Sequence, residues 1–279
     1  MSIMILVLFL YKEIIPMNYY FAPMEGVTGY IYRNAYQKYF GSVDKYYTPF
    51  IAANKGTKLK SKEIKDILPE NNRGMTIVPQ ILTCVAEDYI RCAKDLVQYG
   101  YDEINLNLGC PSGTVVAKGR GSGFLAHKQE LDEFLYRIVE ADISKLSIKT
   151  RIGVESPDEF DEILQIFNKY PLEELIIHPR VRNDFYKNKP NLEVFSKAVN
   201  LSKNSLCYNG DIFSIRKYQE IVEQFPMIGS IMLGRGMLVN PGLIVQIKTG
   251  KKVEIPTLRR FHDCIYSEYK ETLYGDLPV

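Results

Sequence analysis

Asn105-Leu-Asn-Leu-Gly-Cys-Pro-Ser-Gly, residues 105–113, is the stretch on which the fold prediction depends. Apolar residues at 104, 106 and 108 predict a buried strand that stops at Gly109. Cys110 then lies on a loop at the strand end, where Pro111 favours extended backbone for the preceding residue. Position alone leaves two interpretations open. Cys110 is either a small buried hydrophobe, as most free cysteines are, or a loop residue that carries chemistry.

Composition narrows the class of protein. The chain has 279 residues, of which 46% are hydrophobic and 24% charged, and its net charge is +2. These values fit a globular protein with one large core, and any basic surface must be local. The five cysteines form no CxxC pair, which predicts reduced thiols in the cytoplasm. With only three histidines, a histidine-rich metal site is not expected.

The first 16 residues are predicted to lie outside the main fold. Residues 1–11 are apolar but too few to span a bilayer, and no positively charged segment precedes them as in a secretory signal. We expect the fold to begin at Met17, with residues 1–16 an extension or an added β-element.

From Met17 onward, a strand followed by a helix recurs along the chain. Eight such units predict an α/β fold, a TIM (β/α)8 barrel over residues 17–242. A short and incomplete C-terminal helical segment, residues 243–279, is expected to follow, with a helix from Pro256 to Tyr274. The predicted strands are Tyr19–Ala22, Asp44–Phe50, Thr76–Leu82, Ile104–Leu108, Leu146–Thr150, Glu174–His178, Leu206–Tyr208 and Ile228–Leu233.

In such a barrel the C-terminal ends of the strands surround one pocket. The pattern there lacks paired carboxylates, a Ser–His–Asp set and a metal cluster, so it does not favour hydrolysis. Glycine turns after the last two strands lie where barrels often bind phosphate. A phosphorylated cofactor such as flavin mononucleotide (FMN) is therefore expected. The residues at these ends are Pro23, Met24, Gln80, Asn107, Cys110, Lys149, His178, Asn209, Gly210, Asp211, Gly234 and Arg235.

Some charged residues of the chain have a simpler explanation than a role in the pocket. His178 could be a structural histidine, whereas Lys149 lies in an apolar strand and so favours the pocket. The lysines from 55 to 65 are explained as a solvated loop that would contact a polyanionic substrate. Arg33 is expected at the surface of a helix over residues 28–40, for which Thr28 is the candidate N-cap.

Six motifs, in this order, resemble the tRNA-dihydrouridine synthases over residues 19–242. The most specific is the Asn-x-Gly-Cys-Pro element. The motifs are Ala22-Pro-Met-Glu-Gly-Val-Thr, Asn105-Leu-Asn-Leu-Gly-Cys-Pro-Ser, Ser147-Ile-Lys-Thr-Arg-Ile-Gly, His178-Pro-Arg, Asn209-Gly-Asp-Ile and Met232-Leu-Gly-Arg-Gly.

The resemblance implies a reaction and site roles. NADPH (or NADH) reduces FMN, hydride passes from flavin N5 to uracil C6, and Cys110 protonates C5 as general acid. It places Pro23 and Met24 near the flavin ring. Gln80, Lys149 and His178 would bind the ring or ribityl chain, and Asn209, Gly210, Asp211, Gly234 and Arg235 the phosphate end. Asn107 would hold the base and Lys118 and Arg120 the RNA backbone. The partner would be tRNA, with no membrane or metal, and the protein a cytoplasmic monomer.

Two other functions remain open from the sequence. One is an FMN-dependent reductase of a small pyrimidine, which would need no basic surface. The other is a flavin-retaining tRNA-binding remnant without activity, because the family's helical domain is longer than the residues that follow Pro241. RNA-stimulated oxidation of the reduced flavin would distinguish the synthase from the small-molecule reductase.

Overall fold

The computed structural model describes residues 16–56 and 59–272. The expected N-terminal extension, apart from Pro16, lies outside the described residues. Ten parallel strand segments occur along the described chain, and helices separate most of them. Strands β1–β10 span Asn18–Phe21, Lys45–Tyr47, Ile51–Ala52, Ile77–Val78, Gln80–Leu82, Glu103–Leu108, Lys145–Arg151, Glu174–His178, Leu206–Tyr208 and Ser230–Leu233.

The ten segments form eight strands that close into a barrel. The hydrogen-bonded order is β3-β5-β6-β7-β8-β9-β10-β1-β2-β4, and every pair is parallel. Segments β2 and β3 belong to one strand interrupted at residues 48–50, and β4 and β5 to one interrupted at Pro79. The two ends of the order therefore meet, and the predicted eight-stranded barrel is confirmed.

Two prolines explain the interruptions. Pro49 and Pro79 have no N–H group to donate to a neighbouring strand. At the break, the hydroxyl of Thr48 accepts the N–H of Gln80 at 3.1 Å and so replaces a backbone acceptor. The single strands predicted over residues 44–50 and 76–82 are thus each divided in two.

Successive residues of β6 face opposite sides of the sheet, as the pleat of a strand requires. Ile104, Leu106 and Leu108 pack with helix residues in the large core around the barrel. Asn105 and Asn107 face the barrel interior, where both bond the side chain of Gln80. The sheet is buried on both sides, as expected when helices surround a parallel barrel.

Eleven helices of the described chain surround the strands. Four of them, at 61–67, 113–116, 192–201 and 235–239, fall in segments where no helix was predicted. Helices α1–α11 span Tyr30–Tyr39, Ser61–Ile67, Ala86–Gln98, Gly113–Val116, Lys128–Glu140, Glu159–Phe167, Leu192–Leu201, Ile215–Gln224, Arg235–Val239, Leu243–Thr249 and Ile255–Thr272.

The first helix corrects two predictions. Thr28 was predicted as a plausible N-cap, but its hydroxyl accepts the N–H of Met24, and Asp66 caps Tyr30 N–H at 2.6 Å instead. Arg33 is fully buried rather than at the surface. Its guanidinium donates to the carbonyl of Thr28, five residues earlier, and to that of Asp66, 33 residues later.

The C-terminal helix α11 packs on α1. Phe261 is buried, and its ring contacts those of Tyr32, Tyr36 and Phe40, with centroids 4.9 Å apart for Phe40. Burial of an aromatic ring is a large apolar contribution, so this contact anchors the helix to the barrel.

Candidate active site

Two adjoining cavities open at the C-terminal ends of the strands, with volumes of about 400 and 70 Å³. Five residues line both: Pro23, Met24, Lys149, His178 and Tyr186. The larger cavity also contains three predicted residues, Gln80, Asn107 and Cys110. The smaller one adds the other five, Asn209, Gly210, Asp211, Gly234 and Arg235. The structure therefore brings together all the predicted site residues except Lys118 and Arg120.

Both the backbone N–H and the backbone carbonyl of Cys110 are hydrogen-bonded to side chains. Its N–H donates to Oδ1 of Asn107 at 2.9 Å, and its carbonyl accepts from the Ser122 hydroxyl at 2.9 Å. Gly121 passes behind it with φ +55°, where an added Cβ would lie 2.7 Å from the Cys110 carbonyl oxygen. Burial raises the pKa of the Cys110 thiol above its ordinary 9.0, although nearby Lys149 opposes the shift. The thiol is therefore protonated at neutral pH.

A chain of buried amides supports this loop from inside the barrel. Gln80 donates to Asn105 at 2.8 Å and accepts from Asn107 at 2.7 Å, while Asn105 donates to Ser147 at 3.0 Å. The Asn107 oxygen accepts the N–H groups of Gly109 and Cys110. These bonds leave Asn107 and Gln80 one amide N–H each for a ligand.

Lys149 brings a cation to the wall that the two cavities share. Burial, together with the nearby Arg151 guanidinium, lowers the pKa of Lys149 to about 8. Its ammonium makes no ion pair with any described residue. At neutral pH it is mostly protonated and available to an electron-rich ligand.

His178 is buried, and its tautomer follows from its partner. Nη1 of Arg180 lies 2.9 Å from Nε2 of His178. Because a guanidinium only donates, Nε2 must accept and the proton lies on Nδ1. Burial, with Lys149 and three arginines nearby, holds the pKa of His178 well below its ordinary value, so the ring is neutral.

At the smaller cavity, one carboxylate joins two arginines. Asp211 accepts from both Arg180 and Arg235, the latter at 2.5 Å. The guanidinium of Arg235 also lies 4.2 Å from the centre of the Tyr186 ring. Two cations against one anion leave this end net positive, which suits a phosphate group.

Two glycines allow close packing of the turns in this region. A Cβ on Gly236 would lie 1.9 Å from the Ile212 carbonyl oxygen, and one on Gly210 would lie 2.1 Å from the Tyr208 hydroxyl. The absence of a side chain at Gly236 therefore lets the segment after β10 approach the turn after β9, and its absence at Gly210 leaves room for the Tyr208 ring. Close approach of bare backbone also exposes N–H groups to an anion.

Lys118 and Arg120 lie on the loop beyond Cys110 and line neither cavity. Lys118 is exposed. Arg120 is half-buried and donates to Oδ1 of Asn54 at 2.8 Å. One guanidinium N–H of Arg120 is thus already hydrogen-bonded within the protein.

Arg151, Arg180 and Tyr186 were not predicted as site residues. Arg151 and Tyr186 line the cavities, and Arg180 bonds the cavity residues His178 and Asp211. Arg151 donates to Gly109, Val181 and Phe185 carbonyls and so joins the Cys110 loop to the loop after β8. One signal was present in the sequence, because Arg151 is two residues from Lys149 and therefore on the same face of the strand. Tyr186 lies in a loop without a periodic pattern, so no such signal existed.

Within residues 16–56 and 59–272, the chain has neither a membrane-spanning helix nor a metal-binding cluster. No helix there is long and apolar enough to cross a membrane. No group of three or more His, Cys, Asp and Glu side chains there is arranged to hold a metal ion.

The chain is similar in sequence to proteins of one family. The family model "Dihydrouridine synthase (Dus)" matches residues 20–275. Probable tRNA-dihydrouridine synthase 2 of Bacillus subtilis is 27% identical over 257 residues, which cover 90% of this chain and 78% of that protein. Probable tRNA-dihydrouridine synthase 1 of Synechocystis sp. is 26% identical over 249 residues, covering 87% and 69%.

Solved structures share the fold at low sequence identity. A variant of NCR from Zymomonas mobilis matches with a TM-score of 0.58 and 14% identity, covering 86% of this chain and 90% of that one. A morphinone reductase mutant matches with a TM-score of 0.58 and 11% identity, covering 86% and 89%. Because the family model covers nearly the whole described chain, the protein belongs to the dihydrouridine synthase family.

Proposed function

We propose that this protein is a flavin-dependent oxidoreductase that reduces the C5=C6 bond of a uridine in tRNA, with FMN as cofactor and NADPH as reductant. The observation that carries the proposal is the position of Cys110. Its protonated thiol lies on a rigidly held loop in the same cavity as Lys149 and His178. A positioned acid beside a cofactor pocket is what reduction of a conjugated double bond requires.

The residues present fit a flavin mononucleotide. The amide of Gln80, the ammonium of Lys149 and Nδ1–H of His178 are donors that suit an electron-rich ring and a polyol chain. The turns at Gly210 and Gly234, together with Arg235, suit its phosphate. The shared wall of the two cavities allows one ligand to occupy both, with its ring beside Cys110.

The chain's own residues then act on the substrate. The bound flavin, when reduced, supplies a hydride equivalent to C6 of the uracil. Sγ–H of Cys110 gives its proton to C5, and the thiolate regains a proton from solvent. The free N–H of Asn107 holds a uracil carbonyl near this thiol. The uridine must leave its stack to enter, at a cost of a few kcal/mol.

The rest of the RNA would contact the basic surface around the cavities. Lys118, Arg120 and the exposed lysines 55, 60, 62 and 65 would bind phosphates. We further propose that residues 17–242 form the FMN-binding barrel and that 243–279 form a helical segment that also contacts tRNA. The protein would act as a cytoplasmic monomer.

The test is dihydrouridine content of an unmodified tRNA transcript after incubation with FMN-loaded protein and NADPH. We expect dihydrouridine at defined positions, and faster turnover with NADPH than with NADH. Free uridine and uracil serve as control substrates. Reduction of these alone would instead favour a small-pyrimidine reductase, and a yellow protein that binds tRNA without product would indicate an inactive remnant.

A further inference from the structure

The loop at 181–188, after β8, forms one rim of the larger cavity. Two of its aromatic residues, Phe185 and Tyr186, line that cavity and are 48% and 51% exposed. Large apolar side chains left in solvent at a cavity rim usually mark a surface that a ligand covers. The question is which ligand these rings receive.

Two buried arginines hold the loop in place. Arg151 donates to the carbonyls of Val181 and Phe185, at 2.8 and 2.7 Å. Arg180 donates to the Asn188 carbonyl at 2.6 Å. Both guanidinium groups are almost completely buried, so these charge-assisted bonds fix the loop backbone. The rings are therefore presented by a defined backbone and not by a loose segment.

The backbone of Phe185 is strained. Its φ is +47°, a region that a bulky residue rarely adopts. Packing of its ring does not compensate, because nearly half of the side chain is exposed. Such strain in a pocket wall supports a functional reason for the conformation.

The two rings differ in what they already contact. Tyr186 stacks on His178, with centroids 5.9 Å apart, and Arg235 covers it at 4.2 Å. Phe185 has no aromatic or cationic partner among the described residues. Phe185 is therefore the ring that remains free to stack on a ligand.

The same loop carries positive charge. Lys187 in this loop and Lys189 just after it are exposed, and Arg182 is half-buried. An exposed ring among cations is the combination that binds single-stranded nucleic acid, where bases stack on aromatic side chains and cations contact phosphates.

We propose that Phe185 is a stacking residue for an unpaired base of the RNA substrate at the mouth of the Cys110 cavity. This inference rests on the proposed function. Arg151 donates to both the Gly109 carbonyl and the Phe185 carbonyl. One side chain therefore fixes the position of the Phe185 loop relative to the Cys110 loop.

The test compares Phe185→Gly with Phe185→Tyr. Glycine accepts positive φ and removes only the ring, whereas tyrosine keeps the ring. Tyr136→Ala is the control, because Tyr136 is 57% exposed and lies on α5, away from both cavities. Four quantities are measured on the FMN-loaded proteins: affinity for an unmodified tRNA transcript by fluorescence anisotropy, dihydrouridine formed in that transcript, Tm, and the rate of flavin reduction by NADPH.

We expect Phe185→Gly to weaken RNA binding roughly tenfold. Its Tm should be equal or higher, and flavin reduction unchanged. Phe185→Tyr and Tyr136→Ala should bind as wild type does. If the wild type binds and modifies tRNA while Phe185→Gly binds it equally well, the stacking role is wrong and the proposed function stands. A lower Tm for Phe185→Gly with unchanged RNA affinity would mean that the Phe185 ring stabilises the fold and does not bind RNA. If wild type neither binds nor modifies tRNA, both proposals are overturned.

Discussion

The side-chain oxygen of Asn107 accepts the backbone N–H of Cys110 at 2.9 Å and so fixes the start of the thiol loop from the strand below it. The same oxygen accepts the N–H of Gly109 at 3.0 Å. A single amide oxygen thus satisfies two donors where the strand ends. The position of the Cys110 thiol in the pocket depends on this contact.

Replacement of Asn107 by alanine should lower stability and activity together. Two N–H groups lose their acceptor in a largely buried place, which typically costs about 1–3 kcal/mol. Asn107→Asp keeps the oxygen and should preserve the loop better than alanine does. Urea unfolding and dihydrouridine formation measure the two effects. Equal unfolding free energies for wild type and Asn107→Ala would show that the contact is not needed.

Replacement of Cys110 by alanine tests the acid directly. Loss of a general acid should reduce dihydrouridine formation by about 10²–10⁴-fold, while flavin reduction by NADPH continues. Cys84→Ala is the matched control, because Cys84 is also a half-buried free thiol but lines neither cavity. A Cys110→Ala variant as active as the control would exclude the thiol as proton donor.

The pH profile should have an alkaline limb. Burial raises the pKa of the Cys110 thiol, and the acid is active only when protonated. Dihydrouridine formation at saturating FMN should therefore decline only above the ordinary thiol pKa of 9.0. In Cys110→Ser the hydroxyl does not ionise in this range, so the remaining activity should lack that limb. An identical decline in both proteins would assign it to another group.

Lys149 should lower the stability of the flavin-free protein. Its folded pKa of about 8 lies below the ordinary 10.5, so the unfolded chain binds more protons between these values. The contribution of Lys149 to the free energy of unfolding therefore rises as the pH increases from about 8 to 10.5. Lys149→Met should remove the rise and add on the order of 1 kcal/mol at pH 7, or about 2–4 °C in Tm.

The same variant should bind FMN poorly, because the cation is lost from the pocket. Lys145→Met, an exposed position on the same strand, is the control and should change neither property. Calorimetry of the flavin-free proteins and fluorescence titration with FMN provide the two measurements. Unchanged FMN affinity in Lys149→Met would remove Lys149 from the proposed cofactor contacts.

Gly236→Ala should damage the phosphate end of the site. The new methyl would meet the Ile212 carbonyl oxygen, a backbone atom that moves only with its turn. Such overpacking typically costs about 1–3 kcal/mol, and FMN binding should weaken with it. Gly113→Ala, where a Cβ meets nothing within 4 Å, should be tolerated. Titration with FMN and urea unfolding distinguish the two variants.

Local pattern allowed much of the fold to be predicted. The apolar alternation at 104–108 and the short runs near 174–178 and 206–208 matched real strands closely, because a strand buried on both faces requires apolar residues. The helices at 61–67, 113–116, 192–201 and 235–239 were missed. The first lies in a lysine-rich stretch and the third follows a long loop. The other two have only four and five residues, too few to show a helical period.

The candidate site was predicted as far as strand position allows. A residue at the C-terminal end of a barrel strand must face the pocket, so Gln80, Lys149 and His178 followed from topology. Arg33 was placed wrongly because its partners, Asp66 and Asn72, are 33 and 39 residues away in the chain. A charged side chain in a predicted helix is expected to face solvent unless its buried partners are known.

The sequence by itself determined the barrel, the family motifs and most of the pocket residues at the strand ends, because these depend on short-range periodicity and on strand position. Only the tertiary structure decided how those residues are held. It joined Cys110 to Asn107, Asp211 to two arginines, and the loop of Phe185 to Arg151. Hydrogen bonds and buried ion pairs need atoms within about 3 Å, and only the folded chain brings residues so far apart in sequence that close.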